Sequence, residues 1–207
     1  LEKNLNVDFV ASLGVGEHVL GLYERMGYEV GQMHHIKKDI SSGSTPQPNF
    51  LITKGITKKI NNSNTHNKSF EYMNNKYLNA NFYDYELFTV SHKDEPITSI
   101  VGRILFDHFN QRAIFRIIDF YGNARGLSVF CNYANSNDFT RKVNYIDMLI
   151  SDDKQIDYET FNKCTKLDYL PLFFEPLISD YKIKNFCFKK TCLSIKVSKF
   201  KFHIPEL

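Results

Sequence analysis

Tryptophan is absent from the 207 residues, and cysteine occurs only four times. No two of Cys131, Cys164, Cys187 and Cys192 have the two-residue gap of a zinc knuckle or a dithiol redox motif. They lie in apolar or mixed stretches, where buried free thiols of a reducing compartment are expected. No apolar run approaches the roughly 20 residues that cross a bilayer. No basic-then-apolar leader opens the chain. A soluble, cytosolic protein with no membrane partner is therefore expected. The first residue is Leu1 rather than Met, so a preceding segment is expected.

A dominant charge is also lacking, since 26 basic and 23 acidic residues leave a net +3. The tightest basic runs are the pairs Lys37-Lys38, Lys58-Lys59 and Lys189-Lys190, which read as solvated surface. Nucleic-acid readers gather their cations on one face, so no such partner is expected. Apolar residues are plentiful at 43%, with 18 Phe and 12 Tyr. That is enough to bury a core and argues against wholesale disorder.

Residues 1–40 read as strand, helix, strand. A half-apolar run from Val7 to Leu13 is broken by Gly14 and Gly16. Val19, Leu20, Leu22, Tyr23 and Met26 then recur at helical spacing, and Gly27 sits where a helix-ending glycine belongs. Tyr28 to Met33 resumes as a strand. Residues 41–70 read as a polar linker, with Ser41 to Pro48 and Asn61 to Asn67 as breakers and a short strand possible at Phe50 to Ile52.

The main module, 71–207, alternates strands and helices, which predicts a mixed sheet covered on both faces. Its strands are expected at Glu86–Val90, Ser99–Phe106, Ala113–Phe120, Tyr145–Ile150, Leu170–Phe174 and Cys192–Val197. Helices are expected at Leu127–Tyr133 and Tyr158–Cys164. Ala113 to Phe120 is the strongest strand, rich in β-branched and aromatic residues.

Leu22-Tyr23-Glu24-Arg25-Met26-Gly27-Tyr28 resembles the final motif of GNAT-type acyltransferases: aliphatic, Tyr, Glu, two residues, Gly, aromatic. Gly16 stands where that family commonly has Asn. The main module resembles a second GNAT-type fold more faintly. Asn75 to Tyr85, Ile117 to Gly122 and Leu170 to Pro176 are also similar to stretches of two-module proteins encoded near surface-polysaccharide genes.

The resemblance implies an α/β protein with a GNAT-like mixed central sheet flanked by helices. Residues 1–40 are then the C-terminal part of one GNAT-like domain, and 71–207 are a second such module. It also implies acetyl-CoA or another acyl-CoA as donor and a small-molecule amine, such as an amino sugar, as acceptor. The first module is expected to do the chemistry and the second to shape the acceptor site. A non-catalytic module binding a ligand or a partner protein is the alternative. Strand pairing with the main module, a homodimer, or pairing with a missing upstream half-domain is expected to cover the edge at Tyr28 to Met33.

The resemblance further implies a phosphate-binding turn, Gln/Arg-x-x-Gly-x-Gly/Ala, whose backbone N–H groups open a helix. In the main module the matching place is Asp119 to Arg125. Gly122 and Ala124 fit, Asp119 replaces the Gln or Arg, and Arg125 can compensate. A plain strand-to-helix turn explains the same residues.

Tyr23 takes the place of the tyrosine that protonates the leaving thiolate in many GNAT enzymes, or it packs the helix on the sheet. Asp147 lies inside an apolar strand and is a candidate base with a raised pKa if buried, or it faces solvent. Asp119 is read the same way, and Glu175 is the third candidate carboxylate. His34-His35 cannot chelate one metal, because neighbours on a strand face opposite ways. One of them can reach an acceptor site, but exposure of both is expected. No metal site and no Ser-His-Asp or Cys-His spacing stands out.

Overall fold

The computed structural model describes residues 9–13, 17–32, 34–40, 48–60, 68–79, 83–107, 112–136, 143–150, 161–163 and 185–190. The first elements are β1 (Phe9–Leu13), α1 (Glu17–Arg25) and β2 (Glu29–Gln32), in the order the glycine punctuation predicts. The end of α1 is a Schellman turn. Gly27 adopts φ 82°, the Gly27 N–H donates to the Glu24 carbonyl at 2.9 Å, and the Tyr28 N–H donates to the Tyr23 carbonyl at 3.0 Å. A side chain at Gly27 would be strained there, which is why the helix stops at a glycine.

The next strand is β3 (His34–Asp39), and β2 and β3 join different sheets. β2 pairs antiparallel with β10 (Asn185–Lys190), which also pairs with β1, giving the order β1-β10-β2. The strand edge at Glu29 to Gln32 is thus covered from within the chain, and Tyr28 and Val30 are half-buried. Leu22 and Met26 on α1 remain 51% and 50% exposed.

β3 instead enters a seven-stranded sheet. This sheet also contains β4 (Phe50–Lys54), β5 (Glu86–His92), β6 (Glu95–Asp107), β7 (Arg112–Gly122), β8 (Tyr145–Ile150) and β9 (Asn162–Lys163). Its order is β4-β5-β6-β7-β8-β3-β9. The short strand in the polar stretch is therefore an edge of this sheet. Two helices complete the described elements. α2 (Phe70–Met73) continues as a π-helical turn, Asn74–Leu78, and α3 (Arg125–Ser136) follows β7. α2 starts at Ser69, whose hydroxyl accepts from the Tyr72 N–H at 3.1 Å.

Two apolar layers flank the large sheet. One side packs α3 through Leu127 and Phe130 on Phe88, Phe115, Ile117, Ile146 and Met148, with Ile36 of β3 in the same core. The Phe115 and Phe130 rings lie 5.4 Å apart, and full burial of each contributes about 1.5–3 kcal/mol. The other side holds Met73 and Tyr77 of the α2 region against Val101, Ile118 and Tyr121. Cys131 is a free, buried thiol in the α3 core, as its apolar setting predicts.

One expected element differs. Within Tyr158–Cys164, where a helix is expected, Asn162 and Lys163 form β9 against Lys37 and Ile36. The outer side of β3 offers backbone groups to pair with, which local helical spacing does not reveal. The strands expected at Leu170–Phe174 and Cys192–Val197 lie outside the described residues.

Candidate functional site

β7 and β8 are the one parallel pair among the described strands. Their ladder runs from Ile114–Tyr145 to Ile117–Met148 and ends there, although β7 continues to Gly122 and β8 to Ile150. Such a place, at the carboxyl ends of parallel strands, is where open α/β sheets take ligands. Ionisable side chains cluster around it.

The first cluster centres on Asp147, which is fully buried. Arg116, its register partner on β7 and 2% exposed, donates from Nε to Oδ1 at 3.0 Å and from Nη2 to Oδ2 at 2.6 Å. His35 Nε2 lies 2.9 Å from the same Oδ2. Burial opposes the Asp147 charge, but the Arg116 guanidinium, with hydrogen bonds from His35 and Arg116, outweighs it and holds the carboxyl below the ordinary range. Asp147 is therefore a fixed negative charge, and the expected base with a burial-raised pKa is not found.

Register extends the row sideways, with Arg103 opposite Arg116 and Lys37 opposite Asp147. Arg103 stacks on the Tyr83 ring at 4.2 Å, and the Lys37 ammonium lies 5.8 Å from the Tyr145 ring centre. Three cations thus cross one sheet face around a single carboxylate.

Asp119 anchors a second cluster. The β6–β7 register slips between Val101 and Gly102, leaving Ile118 as an extra residue on β7. This bulge reverses the alternation and delivers Asp119 to the α2 side. There its carboxylate accepts from the Tyr77 hydroxyl at 2.8 Å, from the Lys68 ammonium and from the Phe120 N–H. Burial first, then the Asp119 charge, raises Tyr77 far above the usual phenol range and Tyr72 to about 12. Asp119 is directed to Lys68 and Tyr77.

The turn from Gly122 to Gly126 connects β7 to α3. Gly122 has φ 111°, and a Cβ there would lie 2.2 Å from the Ile97 carbonyl oxygen, so only glycine fits. Four amides of this segment have partners within the protein. Asn123 N–H donates to Ile97 O, Arg125 N–H to Asn123 Oδ1, Gly126 N–H to Asn123 O and Leu127 N–H to Ala124 O, all at 2.9–3.0 Å. Ala124 is half-buried against the α3 core, and the exposed Arg125 holds its guanidinium 5.5 Å from the Phe50 ring centre. An anion here would compete with the Asn123 side chain for the Arg125 amide.

Tyr23 belongs to α1, beside the small sheet, while Asp147 and Gly122 belong to the large one. Its ring meets Tyr28 edge-on at 5.2 Å, the contact that accompanies the Schellman turn. Glu175 lies outside the described residues. Among the described residues no three His, Cys, Asp or Glu side chains converge as a metal site would require.

Neither a family model nor a curated protein matches the sequence. A solved GCN5-related N-acetyltransferase from Anabaena variabilis is similar in fold, with a TM-score of 0.54 at 9% identity, covering 91% of this chain. The fold is GNAT-like. The chain spans about half, 47%, of the Anabaena protein's length. A GCN5-related N-acetyltransferase from Kribbella flavida has a TM-score of 0.43 at 9% identity, covering 89% of this chain and 68% of its own. A conserved protein of unknown function from Staphylococcus epidermidis has a TM-score of 0.47 at 13% identity, covering 87% and 69%. In this GNAT-like chain no helix among the described residues is long and apolar enough to cross a membrane.

Arg116, Lys68 and Tyr77 escape the sequence reading, and His35, which it names, is expected there to be exposed. Arg116 and Asp147 each interrupt an apolar strand, and one buried charge of each sign is a pairing signal. His35 gives no such signal, because His-His-Ile-Lys-Lys reads as solvated. It is nevertheless buried, because β3 lies between β8 and β9.

Proposed function

We propose that the protein belongs to an N-acyltransferase that moves an acyl group from a CoA thioester to a primary amine, with an amino sugar of a surface polysaccharide as the acceptor class. The observation that carries this reading is the parting of β7 and β8 beside the His35–Asp147–Arg116 cluster, within a GNAT-like sheet. Acyl-CoA is a substrate here. Its thioester enters where the strands separate, and Gly122, Ala124 and Arg125 lie at the pyrophosphate end, where the Asn123 side chain has to move aside. The candidate role of Tyr23, as donor to a leaving thiolate, belongs to the 1–40 module and is separate from the chemistry at β7 and β8.

The engaged amides of the Gly122 turn favour a second reading, a GNAT-like module that binds an acceptor or a partner without catalysis. Thiol release from acetyl-CoA in the presence of D-glucosamine decides between them. Amine-dependent release above the hydrolysis background supports transfer. Its absence, with glucosamine still bound, supports the binding module.

A further inference from the structure

His35 Nδ1 is the one buried side-chain nitrogen or oxygen among the described residues that has no hydrogen-bond partner. A buried polar atom left this way is costly, and it is retained where a ligand, a water or a reaction uses it. The tautomer of the neutral ring follows from its other nitrogen. Asp147 is an ionised carboxylate and can only accept, so Nε2 carries a hydrogen, and in the neutral ring the lone pair is on Nδ1. Arg116 fixes the carboxylate from its other side through two hydrogen bonds, and the imidazole is held in one orientation.

The position of this lone pair matters. His35 is in register with Leu149, one residue beyond the last β7–β8 pair, Ile117–Met148. It therefore stands at the level where the two strands have separated. Lys37, on the same strand, faces Asp147.

Resting on the acyl-transfer reading, we propose that His35 Nδ1 receives the proton of the acceptor amine. The amine nitrogen forms the new bond to the thioester carbonyl carbon. The carbon–sulfur bond breaks with its electron pair on sulfur, and the N–H proton passes to Nδ1. The imidazolium, stabilised by Asp147, then returns that proton to the thiolate, leaving an amide and a free thiol. Asp147 and Arg116 are positioning residues, and His35 is the catalytic one.

Two measurements on the full 207-residue chain test this. The first is the ¹⁵N spectrum of its histidines, which reports the His35 tautomer at neutral pH. The second is acetyl-CoA thiol release with D-glucosamine, for the wild type and for His35→Gln, which keeps a donor for Asp147 but has no base. The expected results are the Nε2–H tautomer and, in the variant, a fall in kcat on the order of 100-fold with the KM for acetyl-CoA unchanged. Asp147→Asn is expected to mix the tautomers as well as slow the reaction. An Nδ1–H tautomer, or full activity in His35→Gln, overturns the assignment while leaving acyl transfer intact. A wild type that turns over no amine overturns both.

Discussion

Substituting Asp147 by Asn preserves its shape and removes the negative charge that faces Arg116 at 2.6 Å. Arg116 is 2% exposed, so its cation would stay buried without that carboxylate. Removing one member of a buried pair costs about 3–5 kcal/mol, most of it the penalty of the stranded charge. In a chain of this length each kcal/mol lowers Tm by about 2–4 °C, so the midpoint should fall by about 6–20 °C. With no Trp in the sequence, urea unfolding is best followed by far-UV circular dichroism or tyrosine emission. Glu86→Gln is the control. It breaks the exposed Lys54–Glu86 pair and should cost under about 1 kcal/mol. Replacing both buried charges, Arg116→Met with Asp147→Leu, should cost less than Asp147→Asn alone. The pH dependence follows from the lowered Asp147 pKa. A carboxyl held below its unfolded value contributes fully above about pH 4 and loses that contribution as the pH falls through its folded value. A loss for Asp147→Asn no larger than for Glu86→Gln would refute the reasoning.

Tyr77→Phe deletes the hydroxyl that donates to buried Asp119 and should cost about 1.5–3 kcal/mol in the same assay, as expected for a bond to a charged group. Tyr121→Phe removes only a 3.5 Å contact to the Ile60 carbonyl and should cost clearly less. Gly122→Ala forces a side chain into φ 111° against the Ile97 carbonyl, so a loss of at least about 1–3 kcal/mol from the backbone alone is expected, and a neutral outcome would show the turn is not held as described. Acetyl-CoA should bind this chain more weakly than about 1 µM, or about −8 kcal/mol, by calorimetry. Asn123→Ala, which frees the Arg125 amide, should tighten that binding.

Local signals carried the N-terminal unit. Helical spacing from Val19 to Met26 and the Gly27 stop place α1 and β2, and the same Tyr–Gly–Tyr spacing is what resembles the GNAT motif. The β-rich run from Ala113 to Phe120 lies within β7, and Leu127–Tyr133 lies within α3, for the same reason. The long-range arrangement was not legible. Nothing in the sequence of β2 and β3 indicates that these successive strands serve two sheets, because strand partners are set by packing far along the chain. The site suffered most from this. Asp147 was singled out by its apolar neighbours, yet its partner His35 lies 112 residues away in sequence and looked solvated. The bulge at Ile118 likewise turned Asp119 towards Lys68 and Tyr77, and a single extra residue in a ladder leaves no trace in composition.

The most direct test of the account is an NMR titration of the ¹⁵N-labelled chain with acetyl-CoA, following backbone amides residue by residue. The account predicts weak, saturable shifts confined to the ends of β7 and β8, Gly122 to Leu127 and Met148 to Ile150, with His35 shifting alongside them. No shifts at millimolar acetyl-CoA, or shifts confined to α1 and the small sheet, would contradict it.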